Sequence, residues 1–446
     1  MINSSKTCVV SWCWFALALA VIWASAVHAD DWPQWRGPTR DGVWHETGVV
    51  ERFKASHLTP RWRVPISSGY SGPTVADGRV YVTDRVAEPK QIERVHCVDS
   101  KTGERIWTHS YDCPYRDISY TAGPRAAVTI DEGRAYSLGA MGNFFCFEAA
   151  SGKVLWQRDL AREYTVRMPI WGLACSPLIE GDLVILEIGG ENACLVALDK
   201  ATGENRWRAL EDDASYAAPI IIEQAGRRVL VCWTGQHIAG LDPPTGKVLW
   251  TYPFPPSKMV LAISTPVVEN DHLFVTAFYD GSLMLRLDQK KPAVEKIWRR
   301  VGKDERHTDS LQSIMATPYM KDNFIYGVDS YGELRCLEGD TGDRVWESLE
   351  PIPSDIQANP RLRRWFNIHM VENQGKTWMF TERGELIISR LSPQGYEEIS
   401  RAKLIEPTRV QLNERGGVCW SHPAFANRHV FARNDNELIA TDLSAE

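Results

Sequence analysis

The segment Ala197-Leu198-Asp199-Lys200-Ala201-Thr202-Gly203-Glu204-Asn205-Arg206-Trp207 decides the fold, because copies of it recur along this chain of 446 residues. Most copies keep the acidic residue, a Thr-Gly or Ser-Gly pair and the final tryptophan. They recur about every 48 residues, which is the period of a repeat architecture. Six copies end at Trp107, Trp156, Trp207, Trp250, Trp298 and Trp346, the fifth being degenerate.

Between two such copies, apolar runs and turn residues predict four short strands. In the first unit, residues 72–76 and 79–83 flank an Asp-Gly turn, residues 94–98 form a third strand, and the fourth carries Trp107. Glycine and aspartate suit these turns because they adopt positive φ at low cost. Four strands per repeat predict the blades of a β-propeller.

The repeat count predicts an all-β fold of eight blades, each with four antiparallel strands. Seven units end at a repeat tryptophan or, in a worn copy, near Ile399. The eighth has three inner strands between about Val418 and Leu443, and its outer strand is expected near Trp62. The ring is therefore closed by strands from both termini. Seven tryptophans should fill the wedges between blades: Trp62, Trp107, Trp156, Trp207, Trp250, Trp298 and Trp346.

The N-terminal segment predicts export. An apolar run follows Lys6 and ends in Val27-His28-Ala29, as in a secretory signal peptide. We expect a signal peptide at 1–29, an N-terminal arm at 30–58 and the propeller at 59–446. A retained membrane anchor is the alternative. The mature protein is expected to be a periplasmic or secreted monomer without a transmembrane helix.

Composition excludes several functional classes. The net charge is −7, with 50 basic against 57 acidic residues, which argues against a nucleic-acid partner. Eight cysteines follow the predicted signal peptide, and none forms a metal-binding C-x-x-C pair. Cys97, Cys146 and Cys336 share one repeat position in different blades, so we expect buried free thiols there. The pairing of the eight stays open, and no metal site is predicted.

The pattern A-x-D-x-x-T-G-x-x-x-W, nearly intact at 197–207, resembles the pyrroloquinoline quinone (PQQ) repeat. The resemblance covers residues 59–446 and implies an eight-bladed PQQ-like propeller. Two groups share that fold: quinoprotein dehydrogenases, which oxidise alcohols with PQQ and Ca²⁺, and cofactor-free propellers resembling the outer-membrane assembly factor BamB. The stretch 31–38 resembles a leader of exported PQQ-like proteins. Fold alone does not choose between the two groups.

The residues favour a binding or assembly scaffold that acts through its long-loop face and central channel. The chain has no adjacent Cys-Cys pair and no C-x-x-C-H haem site. Glu187, Glu191 and Asp309 are conceivable acids for binding Ca²⁺ or for proton transfer. No feature of the sequence requires them to lie together in the channel. Partners would be exported or envelope proteins, or a small ligand at the channel mouth. The alternatives are a PQQ-dependent alcohol or polyvinyl-alcohol-type dehydrogenase with Ca²⁺, a hydrolase, or sugar binding.

Candidate ligand residues lie where long interblade loops enter the inner strands, since loops on a rigid scaffold often carry function. Tyr70, Tyr120 and Tyr216 occupy matched repeat positions and would either stack on a flat ligand or plug the channel. Arg125 would bind carboxylate or quinone oxygens, or form an internal salt bridge. No catalytic residue is assigned. The candidates are Tyr70, Tyr120, Arg125, Trp171, Tyr216, His369, Trp420 and His422.

Overall fold

The computed structural model describes residue 1 and residues 30–413 and 416–445. Its strands form eight four-stranded antiparallel sheets, and each sheet is one blade of a β-propeller. The predicted all-β fold with eight blades is therefore confirmed. The predicted signal peptide, apart from Met1, lies outside the described residues. Within the described part of the chain, no helix is long and apolar enough to cross a membrane.

Each of blades 1 to 4 runs in chain order from an innermost strand on the axis to an outermost strand. In the sequence, these four blades come after the first strand, β1 (Trp62–Pro65). Blade 1 comprises β2 (Thr74–Ala76), β3 (Arg79–Val86), β4 (Ile92–Asp99) and β5 (Arg105–Asp112). Blade 2 comprises β6 (Thr129–Asp131), β7 (Arg134–Leu138), β8 (Asn143–Glu148) and β9 (Val154–Asp159). Blade 3 comprises β10 (Leu178–Glu180), β11 (Leu183–Gly190), β12 (Ala193–Asp199) and β13 (Asn205–Ala209). Blade 4 comprises β14 (Ile220–Gln224), β15 (Arg227–Trp233), β16 (His237–Leu241) and β17 (Val248–Pro253).

Blades 5 to 7 repeat this order, and three short helices of the described residues lie in interblade loops. Blade 5 comprises β18 (Val267–Glu269), β19 (His272–Ala277), β20 (Gly281–Leu287) and β21 (Val294–Arg300). Blade 6 comprises β22 (Tyr319–Lys321), β23 (Phe324–Val328), β24 (Leu334–Glu338) and β25 (Arg344–Ser348). Blade 7 comprises β26 (Ile368–Asn373), β27 (Lys376–Thr381), β28 (Glu385–Ser392) and β29 (Gly395–Lys403). The helices are α1 (Leu160–Glu163), α2 (Ser354–Gln357) and α3 (Pro360–Arg363).

Blade 8 joins the two ends of the chain, as the sequence predicts. It comprises β30 (Ala424–Ala426), β31 (His429–Arg433) and β32 (Glu437–Asp442), with β1 as its outer strand. β1 pairs with β32 from Trp62↔Ala440 to Pro65↔Glu437. The buried guanidinium of Arg433 donates hydrogen bonds to the carbonyls of Thr83, at 2.6 Å, and Ser67. These contacts fasten blade 8 to blade 1 and leave the ring without an open end.

Neighbouring blades meet where the repeat tryptophan of one packs on the Thr-Gly or Ser-Gly turn of the next. Trp156 of blade 2 donates from Nε1 to the carbonyl of Lys200 in blade 3, at 3.3 Å. Gly203 of that turn lies under the indole, and a Cβ built there would be 2.7 Å from the ring. Glycine is required because a side chain would push the indole out of the wedge. The same contact recurs between Trp62 and Gly103, Trp107 and Gly152, Trp207 and Gly246, and Trp298 and Gly342.

The wedge between blades 4 and 5 is built differently, because the degenerate fifth copy has no Thr-Gly turn. Trp250 donates to the side-chain oxygen of Gln224 at 2.9 Å. The amide nitrogen of Gln224 then donates to the carbonyl of Ala293 in blade 5 at 2.7 Å. A side-chain amide can do both because it carries a donor and an acceptor. Gln224 thus replaces the missing turn contact.

Residues 30–58 cross the end of the propeller at which the innermost strands finish. The carbonyl of Pro33 accepts a hydrogen bond from the amide of Ile130 in blade 2, at 2.8 Å. Val43 forms a β-bridge with Glu372 in blade 7. Because blades 2 and 7 lie on different sides of the axis, the segment covers one end of the central channel.

Arg40 fastens this segment to blades 3 and 4. Its guanidinium, 4% exposed, donates to the carbonyl of Pro219 at 3.1 Å and to that of Pro177. Burial lowers the pKa of Arg40 to about 10, so the group stays charged at neutral pH. Its backbone φ is 60°, a region that side chains larger than glycine rarely adopt. The buried hydrogen bonds therefore hold a strained backbone in place.

The eight cysteines of the described part of the chain are buried and free. The expectation of free thiols at Cys97, Cys146 and Cys336 is confirmed. Burial raises the pKa of Cys97 and Cys146 to about 12, which keeps both thiols protonated at neutral pH. These residues pack the blades as small apolar groups.

We predict that Gly203→Ala lowers the urea midpoint of unfolding strongly, because the new methyl group overlaps the Trp156 indole. Overpacking of this kind costs about 1–3 kcal/mol in addition to the strain of positive φ. Gly181→Ala is the matched control, since Gly181 also has positive φ but a Cβ placed on it meets nothing within 4 Å. Equal midpoints for the two variants would contradict the wedge role of Gly203.

Candidate functional site

The central channel widens into a cavity of about 330 Å³ on the side of the long interblade loops. Most of the lining side chains are apolar, and many are aromatic. The aromatic ones are Trp35, Tyr70, Tyr120, Trp171, Tyr216, Phe278, Tyr279, Trp365 and Trp420. The aliphatic part of the wall is formed by Met259, Leu261, Ile263, Ile314 and Met315, with Ala174 and Ala218.

Much of the wall comes from one repeat position, the fourth residue before the innermost strand of each blade. The innermost strands begin side by side around the axis, so residues at this position form a ring. Blade 7 departs from the pattern and contributes Trp365 and His369 instead. The ring members in the lining are Tyr70, Arg125, Ala174, Tyr216, Ile263, Met315 and Trp420.

Trp35 of the N-terminal segment forms the floor of the cavity. Its indole Nε1 donates to the hydroxyl of Thr265 in the loop before blade 5, at 2.8 Å. Its ring meets the His422 ring edge-on, with 4.5 Å between the centroids. The channel is therefore a blind cavity, closed below and accessible from the loop side.

Aromatic rings form a continuous belt around one half of the cavity. The centroids of Tyr120 and Trp420 are 6.0 Å apart, and those of Tyr120 and Trp171 are 5.9 Å apart. The centroids of Trp171 and Tyr216 are 5.0 Å apart. Such separations are favourable for aromatic pairs, and all four rings also line the cavity. The belt can therefore stack on an aromatic or apolar ligand.

Arg125 brings a positive charge into this belt. Its guanidinium lies 5.1 Å from the Tyr70 ring centroid and donates to the carbonyls of Gly123, Ser119 and Tyr120. No described carboxylate lies within ion-pair distance of it, so the internal salt bridge that we considered is not present among the described residues. The described partners that hold this side chain, three carbonyls and a tyrosine ring, are all neutral.

Two histidines stand next to the floor, and both are neutral at pH 7. Burial lowers the pKa of His369 to about 4 and that of His422 to about 3. His369 hydrogen-bonds the carbonyl of Trp420 through Nε2 at 2.9 Å. His422 Nδ1 is 3.3 Å from the carbonyl of Pro423, and its buried Nε2 has no partner in the described part of the chain. The pair adds polar nitrogens to the cavity without adding charge.

The eight candidate residues named from the sequence all lie in the lining of this one cavity. Their role in ligand binding stays a prediction. One detail was wrong: Tyr120 does not share the repeat position of Tyr70 and Tyr216. Arg125 holds it in blade 2, because Tyr120 lies earlier in a longer loop with a φ of 54°.

The tyrosines also do not plug the channel, which was the alternative to stacking on a ligand. They line the wall, and the closure comes from Trp35, which was not among the candidate residues named from the sequence. Ile263 and Met315 were missed although they occupy the same repeat position as Tyr70. Aligning the loops on the inner strands could have identified them. Phe278 and Tyr279 follow a second strand and carried no such signal.

The described residues do not fit PQQ held with Ca²⁺. Ca²⁺ takes six to eight oxygen ligands, yet no carboxylate or side-chain amide is among the described lining residues. No group of three or more His, Cys, Asp or Glu in the described chain could hold a metal ion. Glu187, one of the conceivable acids, is buried in blade 3 outside the lining, where burial raises its pKa to about 8.

The fold and cavity define an eight-bladed PQQ-like propeller with a blind axial pocket. Residues 91–348, more than half of the chain, match the family described as outer membrane protein assembly factor BamB. The chain belongs to this family.

Individual relatives come from both functional groups. A 1-butanol dehydrogenase (quinone) from Thauera butanivorans is 30% identical over 29% of this chain and 23% of its own length. A quinohemoprotein alcohol dehydrogenase from Comamonas testosteroni is 25% identical over 42% of this chain and 26% of its own. BamB from Shewanella oneidensis is 21% identical over 50% of this chain and 56% of its own. The chain thus spans between about a quarter and about half of these relatives.

Solved structures agree on the fold. BamB from Moraxella catarrhalis superposes with a TM-score of 0.57 over 87% of this chain and 98% of its own, at 16% identity. A europium-containing methanol dehydrogenase gives a TM-score of 0.66 over 92% of this chain and 90% of its own, at 12% identity. At these identities the similarity shows the propeller architecture alone.

We predict that His422→Gln flattens the loss of stability on acidification. In the unfolded chain His422 takes up a proton near pH 6.5, whereas in the fold its pKa is lowered to about 3. The stability that its neutral form contributes is complete above pH 6.5 and is lost as the pH falls toward 3. The urea midpoint should therefore decline less between pH 6.5 and 4 in this variant. Replacement of the exposed His45 by Gln is the control, and an unchanged slope in His422→Gln would contradict the assignment.

Proposed function

We propose that this protein is an exported binding or assembly propeller, which receives an apolar or aromatic ligand group in its axial cavity from the long-loop face. The observation that carries the proposal is the blind cavity floored by Trp35 and lined by aromatic rings. Enclosure gives a ligand large contact area, and aromatic walls provide apolar burial together with preferred stacking geometry. The ligand group belongs to an exported or envelope protein, or is a free small molecule.

The proposed organisation follows the sequence: a signal peptide at 1–29, an arm at 30–58 and the propeller at 59–446. The export proposal rests on the apolar N-terminal run of the sequence. The family name, which refers to outer membrane protein assembly, supports an envelope location. A monomer is proposed because one chain closes the ring with its own two ends.

A second candidate function is quinone-dependent alcohol oxidation. Relatives named as quinone or quinohemoprotein alcohol dehydrogenases support it, and so does a cationic side chain in an aromatic cavity. The chemistry of the lining opposes it. A dehydrogenase needs a base for the alcohol proton, and the two lining histidines have pKa values lowered to about 4 and 3. The described lining residues also lack the carboxylate and amide oxygens that would bind Ca²⁺.

We predict that the purified protein binds PQQ with Ca²⁺ weakly or not at all and does not reduce a dye with primary alcohols. The measurement is a titration of tryptophan fluorescence with PQQ, with and without Ca²⁺, followed by alcohol-dependent dye reduction. A known quinoprotein alcohol dehydrogenase serves as the positive control. Saturable micromolar binding that needs Ca²⁺, together with alcohol-dependent turnover, would overturn the binding proposal in favour of the oxidoreductase.

A further inference from the structure

The charge inside the axial cavity is one-sided. Arg125 is the one lysine or arginine among the described lining residues, and no described lining residue is an aspartate or glutamate. The two lining histidines are neutral at pH 7. Among the described lining residues, Arg125 therefore supplies the one fixed positive charge that faces a ligand in the cavity.

Nothing in the described structure neutralises that charge. Three backbone carbonyls accept hydrogen bonds from the two terminal nitrogens of Arg125. A guanidinium has five N–H donors, and Nε has no partner among the described residues. A half-buried cation without a carboxylate keeps part of its desolvation cost. An incoming anion would recover that cost and would use the remaining donors.

The rest of the cavity suits an uncharged body. Arg125 lies at the start of blade 2. Met315 lies at the same repeat position of blade 6, which is opposite blade 2 in the ring of eight blades. Ile263 and Leu261 continue the aliphatic wall beside Met315. Trp35 closes the floor. A bound molecule therefore meets a cation on one side and apolar surface on the other.

We infer that the axial cavity binds an amphipathic monoanion: an aromatic or aliphatic body against the floor and the blade 5–6 wall, with one carboxylate or sulfonate on Arg125. The inference rests on the proposed binding function and names its ligand class. The inferred ligand differs from PQQ, because the three carboxylates of PQQ would face one cation and an apolar wall.

The test compares two dyes that share a fluorophore and differ in one charge. 1-Anilinonaphthalene-8-sulfonate is the monoanion, and N-phenyl-1-naphthylamine is the neutral analogue. The full-length mature protein should bind the anion at least about tenfold more tightly, since a charge-assisted hydrogen bond is worth roughly that much. Arg125→Gln should abolish the difference and leave the neutral dye unchanged. Arg361→Gln, at an exposed arginine in α3, is the matched control.

A third variant separates the two proposals. Trp420→Ala removes part of the aromatic belt and should weaken both dyes, which places them in the cavity. Equal affinities of the wild-type protein for the two dyes would overturn the monoanion inference and leave the binding proposal standing. Weakening of both dyes by Arg125→Gln would also overturn it, because the arginine would then act through cavity shape. Failure of the wild-type protein to bind either dye, or insensitivity of both dyes to Trp420→Ala, would overturn the binding proposal itself.

Discussion

The contact between an indole and a glycine turn underlies the rest of the structure. Each blade alone has two apolar faces and cannot bury them without its neighbours. The repeat tryptophan fills the widening gap at the rim, and a glycine such as Gly203 lets its ring lie flat on the next blade. Repeated around the ring, the contact sets the blade spacing. That spacing determines the width of the axial channel, and so the cavity depends on a contact far from its wall.

Closure of the channel depends on a different element. The N-terminal segment spans the axis, and Trp35 turns an open channel into a blind cavity. Arg40 holds this segment through backbone carbonyls, in a conformation that is costly for the isolated chain. The propeller and the segment are therefore parts of one site: the blades supply the wall and the segment supplies the floor. Removal of either would leave the aromatic rings facing bulk water.

The sequence predicted the architecture well because its signals are periodic. The tryptophan repeat gave the blade count, and the truncated last copy correctly placed β1 beside β32. The eight candidate site residues share one cavity because inner strands of a propeller start around a common axis. The details went wrong where loop lengths differ. Tyr120 was aligned with Tyr70 through a proline, but the longer loop moves it away and gives its place to Arg125.

The order of residues was sufficient to predict the all-β class, the eight blades, the closure by both termini and a set of eight candidate residues that line one cavity. These properties follow from local patterns that repeat, and a local pattern can be recognised without coordinates. The folded chain was needed to show that the tyrosines line the wall, that Trp35 forms the floor and that Arg125 stands without a described carboxylate partner. Each depends on which residues of distant segments come together, and the periodicity of the repeat carries no information about that.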